Sequence, residues 1–452
     1  MAEEKKEVKK SRPPLDPNSA KYKLGKIAGD AFKDAIAAKA AGKPVAWVSS
    51  NFPVEIPETL GLATAYPENQ AAGIAARGAG ERMCTVAEEE GYSNDICAYA
   101  RVSLAYAKLK ECPEQDVAMP DVLLCCNNIC NCMIKWYENL SKELNIPMIM
   151  LDIPFNPDYE VSDAEVQYVT AQFWDAVHQL EKLFDLKWDD KRFEEVTGFS
   201  CRSSRAWLAA TECARYVPSP FNGFDLLNHM AVMVTARGKK EAGEAMETLL
   251  KEYEDNHKNG KSTFRTEEKY RIMFEGIACW PYLRVTSHGL KDRGINMVTT
   301  IYADAFGFDY HSFDEMIRAY CSVPNAINLE KSRDKRIKLC KDNHVEGLLV
   351  HTNRSCKLWS GFMYEMSRQS GKRYIPARKG PKLYMEEPVV VEDVSITTEA
   401  VQKLVIDRKD LDSMDGKRIL IVDDVISTGG SLHALETLVN KSKGTVVARA
   451  AV

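Results

Sequence analysis

The sequence contains no run of about eighteen apolar residues, so no segment is expected to cross a membrane as a helix. Nor does it open on an apolar export signal. MAEEKKEVKKSRPPLDPNS is charged and proline-bearing, and residues 1–19 read as a disordered leader. A basic stripe is missing too: 60 Lys and Arg stand against 65 Asp and Glu, which argues against nucleic acid as a partner. No repeat of solenoid period is visible. These absences leave the expectation of a cytoplasmic globular protein. At 452 residues it has room for about two to four domains with ample core.

What is present is an alternation. PVAWVSS, LGLATAY, DVLLCC and IPMIMLDIP are short apolar runs, each followed by a turn and a helical pattern. That order predicts α/β architecture, with a parallel sheet covered by helices on both faces. AKYKLGKIAGDAFKDAIAAKAAGK reads as an amphipathic helix ended by Gly42 and Pro44. The expected division is a first α/β domain over 20–163, a helical connector over 164–214 and a second α/β domain over 215–366. AVMVTAR, INMVTTIYA and VEGLLVHTN are the candidate strands of the second domain. Residues 367–452 differ in style from all of these.

Thirteen cysteines without an export signal are expected to be thiols. Four of them, Cys125, Cys126, Cys130 and Cys132, crowd into DVLLCCNNICNCMIKWYENL. The C-x₂-C pair usual in zinc sites is absent from this stretch. Met133 stands where a C-x₃-C-x₂-C run would need its third cysteine, and the C-x₂-C-x₂-C of ferredoxins is absent. A self-contained local site is therefore not expected. Cys125 and Cys126 end an apolar strand and read as core. Cys130 follows Asn127 and Asn128, good N-caps, and is expected in the first helical turn, where free amides and the helix dipole favour a thiolate. Cys97 follows Ser93, Asn94 and Asp95 in the same way, and Cys356 follows Asn353 after a buried strand. Three such thiolates at the carboxyl edge of α/β sheets would suit an iron–sulfur cluster with one iron open. Any one of them taken singly reads first as an inert buried thiol.

CAYARVSLAY, LLCCNNICNCMIKWYENLSKELNIPMIMLD, PSPFNGFDLLNHMAV, EEKYRIMFEGIACWPY and HTNRSCKL together resemble a 2-hydroxyacyl-CoA dehydratase subunit, over about residues 20–366. The likeness is to the subunit whose cluster touches substrate, as in the 2-hydroxyisocaproyl-, phenyllactyl- and lactoyl-CoA enzymes of amino-acid-fermenting anaerobes. It implies two Rossmann-like domains and a [4Fe-4S] cluster held by Cys97, Cys130 and Cys356, with no flavin inferred. Cys126 and Cys132 fall outside the ligand pattern and are left to packing. By motif, Ser50 in WVSSNFP and Glu68 in YPENQAAG would lie at the substrate. Without the resemblance, Ser50 reads as a turn hydroxyl and Glu68 as an acidic first-turn residue behind Pro67.

The implied reaction is radical elimination of water from an (R)-2-hydroxyacyl-CoA to an (E)-2-enoyl-CoA. One electron makes the thioester a ketyl radical anion that expels the α-hydroxyl, which acidifies the β-hydrogen, and the electron is recovered. An open iron suits the departing hydroxyl as a Lewis acid. The implied partners are a homologous second subunit and an ATP-dependent iron–sulfur activator; this chain carries no G-x₄-GK[ST] loop of its own. A benzoyl-CoA-reductase-like subunit is the neighbouring alternative.

From about residue 367, GKRYIPARKGPKLY, KRILIVDDVISTGGS and GTVVARAAV resemble part of a purine-type phosphoribosyltransferase. That implies ribose contacts from Asp423 and Asp424. It also implies a 5′-phosphate cradle of amides over Ser427, Thr428, Gly429, Gly430 and Ser431. The preceding strand and the pyrophosphate loop of such enzymes are missing. The tail is therefore expected to be inactive as a transferase, with KRYIPARK completing the second sheet. The rival function is a purine phosphoribosyltransferase carrying a non-catalytic appendage.

Overall fold

The computed structural model describes residues 14–158, 160–351, 355–356, 375, 377, 380–381, 385–394, 401–423 and 430–451. They form two compact units. The first holds residues up to 274 and 278–348, and the second holds 275–277 and 349 onward.

The first unit opens with α1 (Ala20–Ala40), capped by the Ser19 hydroxyl and ended at Gly42, whose φ of 73° suits glycine. Strands β1 (Val45–Val48), β2 (Ala63–Ala65), β3 (Val122–Cys126) and β4 (Met148–Leu151) make a parallel sheet in the order β2-β1-β3-β4. All four fall where the apolar runs predict them. The continuous apolar character of β1 and β3 follows from burial on both faces. Along β3, Val122, Leu124 and Cys126 enter one core while Leu123 and Cys125 enter the other.

Helices α2 (Glu55–Thr59), α3 (Pro67–Ala76), α4 (Gly80–Glu89), α5 (Ala98–Leu109) and α6 (Cys132–Leu144) connect these strands. On α6, Met133, Trp136, Tyr137 and Leu140 recur at helical spacing and are all buried. Each contributes about 1.5–3 kcal/mol by burial, more than helix propensity alone would supply. The stretch 164–214 is helical as expected, in α7 (Asp163–Phe184) and α8 (Asp190–Glu212). A capping box between Ser162 and Glu165 starts α7.

AVMVTAR is not a strand. It forms the end of α9 (Phe224–Thr235), which is buried nearly all round, and a short apolar run does not reveal by periodicity whether it is strand or buried helix. After α10 (Lys240–Lys258), the second sheet instead starts at β5 (Tyr270–Glu275), with β6 (Ile295–Thr300) and β7 (Gly347–Val350) in the order β6-β5-β7. Gly223 lies so close to β6 that a Cβ would fall 1.6 Å from the Met297 carbonyl oxygen, so no other residue fits there.

A buried ionic network braces this unit. Glu55 accepts from Ser200 Oγ (2.9 Å), Tyr310 Oη (2.7 Å) and Tyr320 Oη (2.6 Å). Arg237 donates to Ser200 Oγ (3.2 Å) and to Tyr320 Oη (2.6 Å), so two hydroxyls bridge the opposite charges. The Tyr320 carbonyl accepts from Asn128 Nδ2 at 3.1 Å, which carries the network to the loop bearing Cys130.

In the second unit, β8 (Pro388–Val394) and β9 (Val401–Asp407) form an antiparallel pair. β10 (Arg418–Asp423) and β11 (Thr445–Ala451) pair in parallel around the helix Gly430–Asn440. Val389, Val391, Ile406, Leu411, Ile421 and Leu438 give this part its own core. The described parts of KRILIVDDV and TVVARAAV, Arg418–Asp423 and Thr445–Ala451, therefore pair with each other. KRYIPARK lies outside the described residues except for Ile375 and Ala377, neither of which is in a strand.

Candidate active site

The order β2-β1-β3-β4 reverses direction at β1, so the carboxyl ends of β1 and β3 border a topological switch point, where open α/β sheets bind ligands. Ser50 lies two residues past β1. Glu68 follows β2, in the first turn of α3 behind Pro67 at N1. Cys130 lies in the loop after β3.

Ser50 and Glu68 meet. The Ser50 amide donates to Glu68 Oε1 at 2.9 Å and its hydroxyl to the same oxygen at 2.8 Å. Tyr137 Oη donates to Glu68 Oε2 at 3.4 Å. Burial pushes the Glu68 carboxyl above its ordinary value, and the Ser50 and Tyr137 donors only partly oppose that. Beside this pair, Ser49 Oγ lies 3.4 Å from Cys126 Sγ and accepts the Cys126 amide at 3.2 Å.

Cys97 is the N-cap residue of α5, which packs on α3 and α6. Its thiol is raised well above the ordinary range, first by a hydrogen bond to Cys132 and then by burial, while the Ala100 and Tyr99 amides pull the other way. Cys132 is correspondingly lowered, to about 6, because both the thiol and the amide of Cys97 donate to its sulfur. The sequence leaves Cys132 to packing; it is the first residue of α6 and faces Cys97. Tyr99 accepts a hydrogen bond from Trp280 Nε1.

Cys130 does not fall in the first helical turn. Asn131 is the N-cap and α6 starts at Cys132, with the Cys130 carbonyl accepting the Met133 amide at 3.2 Å. The two asparagines expected to cap are used elsewhere. Asn127 binds Asp152 and the Ile153 amide, whereas Asn128 accepts from the Cys126 thiol at 2.9 Å and donates to Tyr320. Cys126 is fully buried. Cys356 is half-buried and belongs to the second unit; the helix expected to follow it lies outside the described residues. Among the described residues no three His, Cys, Asp or Glu side chains are gathered as in a formed metal site. No disulfide is formed among the described residues.

In the tail, Asp423 ends β10, and Gly430 and Ser431 open the following helix. Asp424, Ser427, Thr428 and Gly429 lie outside the described residues. Tyr137 is the contact that sequence reasoning missed. Its place in the apolar stripe of α6 marks it as a core aromatic, and only its hydroxyl hints at more.

Residues 49–378 match the family described as 2-hydroxyglutaryl-CoA dehydratase, D-component, and residues 375–452 match a phosphoribosyl transferase domain. The (R)-phenyllactyl-CoA dehydratase alpha subunit of Clostridium sporogenes is 50% identical over 372 residues, 82% of this chain and 90% of that protein. The (R)-2-hydroxyisocaproyl-CoA dehydratase alpha subunit of Clostridioides difficile is 45% identical over 356 residues, 78% of this chain and 87% of that protein. For the tail, the adenine phosphoribosyltransferase of Bifidobacterium longum is 40% identical over 96 residues, only 44% of that protein. With Ser50, Glu68, Cys97, Cys130 and Cys356 all inside the longer match, the chain belongs to the 2-hydroxyglutaryl-CoA dehydratase, D-component family.

Proposed function

We propose that this chain is the cluster-bearing subunit of an oxygen-sensitive (R)-2-hydroxyacyl-CoA dehydratase, a hydro-lyase forming (E)-2-enoyl-CoA in amino-acid fermentation. The observation that carries the reading is the Ser50–Glu68 pair at the switch point of the first sheet, inside the stretch that matches the family. Its partners are a homologous second subunit and an ATP-dependent iron–sulfur activator, in the cytoplasm.

Cys97, Cys130 and Cys356 would hold a [4Fe-4S] cluster. Cys97 caps the N-terminus of α5, and the three residues come from separate segments of the chain, as a cluster without a local run of ligands requires. When bound, a cluster with one iron lacking a protein ligand supplies Lewis acidity toward an oxygen leaving group. The protein's own contribution is proton handling. Burial pushes the Glu68 carboxyl above its ordinary value, which favours its protonated form and suits it to carry a proton within the site. Ser50 fixes that carboxyl from two directions, so it needs no reorganisation when substrate binds.

The test is turnover of phenyllactyl-, 2-hydroxyisocaproyl- and lactoyl-CoA by the anaerobically purified chain with second subunit and activator. Formation of a 2-enoyl-CoA from at least one is expected. A folded, iron-loaded preparation that dehydrates none of them would overturn the reading.

A further inference from the structure

Hydrogen-bond geometry assigns the two oxygens of Glu68 different tasks. Oε1 faces the Ser50 amide at 2.9 Å and the Ser50 hydroxyl at 2.8 Å. An amide N–H can only donate, so Oε1 must present a lone pair to it. With the amide and the Ser50 hydroxyl both donating, the two lone pairs of Oε1 are taken. A proton there would require the hydroxyl to turn round and accept, whereas a proton on Oε2 leaves both Ser50 hydrogen bonds in place. Oε2 has a different neighbour, the Tyr137 hydroxyl at 3.4 Å, carried on a fully buried ring of α6. A phenol both donates and accepts. It donates to Oε2 when Glu68 is ionised and accepts from Oε2 when Glu68 is protonated.

We propose that Tyr137 is a positioning residue for Glu68, holding Oε2 as the proton-carrying oxygen and remaining bonded to it in both protonation states. The inference rests on the proposal that Glu68 acts at the substrate. The groups facing Glu68 from the surrounding elements are Ser50 after β1, Cys125 and Cys126 on β3, Tyr99 on α5 and Tyr137 on α6. Burial pushes both thiols and both phenols upward, Cys126 to about 12, so each keeps its proton at neutral pH. Glu68 is the carboxyl of this set, and burial favours its protonated form. The tyrosine is its adjustable partner, because the Ser50 amide is fixed by the chain.

Infrared titration of the full chain tests this without turnover. The Glu68 carboxyl band is identified by its loss in Glu68→Gln. In Tyr137→Phe the pH at which the band disappears should rise by about half a unit to one unit, since the carboxylate loses a donor. The band should also move to higher frequency, since the protonated carboxyl loses its acceptor. Tyr137→Met removes the same hydroxyl and gives the same readout should the Phe variant fold poorly. In the assembled enzyme, the limb of the pH–rate profile governed by Glu68 should move by the same amount, with KM unchanged. A titration and a frequency that stay put in both variants would overturn the proposal. If both shift while Glu68→Gln turns over like the unaltered enzyme, the pairing stands and the role of Glu68 at the substrate falls instead.

Discussion

Both donors of Ser50, its amide and its hydroxyl, converge on one oxygen of Glu68, although Ser50 follows β1 and Glu68 lies in the first turn of α3 after β2. The amide survives any side-chain change, so the hydroxyl can be tested alone. Ser50→Ala should lower kcat/KM by about ten- to a hundredfold, the scale of one hydrogen bond to a charged group, with little change in thermal stability. Glu68→Gln should cost more if, as proposed, it removes the proton carrier and not only its support. Steady-state kinetics of the assembled enzyme and a melting curve separate the two outcomes. Equal losses of Tm and activity would make Ser50 structural.

The first sheet was readable from the sequence because β1 and β3 are buried on both faces and β2 and β4 nearly so, and all four appear as apolar runs. The same property hid α9, since a helix buried all round writes the same pattern as a strand. The start of α6 was misjudged because Asn127 and Asn128 spend their side chains on Asp152, Cys126 and Tyr320 instead of on helix amides. Ser50 and Glu68 could be named from motif, but that they touch could not. Tyr137 could not be named at all, because helical spacing marks it as core and the hydrogen bond is visible only in three dimensions.

His229 on α9 gives the fold an acid-side weakness. Burial first, and then the positive charge of Lys21, lowers it from 6.5 to about 4, and its Nδ1 has no partner among the described residues. The folded value lies below the unfolded one, so the stabilisation is complete above pH 6.5 and is lost as pH falls through about 4. Urea unfolding should show that loss between these limits in the unaltered chain and a flatter profile in His229→Asn. Parallel profiles would mean that His229 titrates alike in both states.

The tail should not transfer phosphoribosyl groups. Such catalysis has to hold the phosphate and the departing pyrophosphate together. The match covers 44% of the Bifidobacterium longum adenine phosphoribosyltransferase and 69% of that of Thermotoga petrophila, and no pyrophosphate-binding loop is recognised in the sequence of the tail. Incubation with 5-phosphoribosyl 1-diphosphate and adenine, guanine, hypoxanthine or xanthine should release no pyrophosphate above background. Release abolished by Asp423→Asn would show the opposite.

Iron content per chain, measured on protein purified without oxygen, tests the central claim most directly. The account predicts a coloured protein with about four irons, as one [4Fe-4S] cluster requires. Cys97→Ser, Cys130→Ser and Cys356→Ser should each lose most of that iron, while Cys126→Ser, altered at a fully buried core thiol, should keep it. A colourless, iron-free chain that is folded as well as any loaded preparation would contradict the account. So would iron that survives Cys130→Ser and disappears in Cys126→Ser.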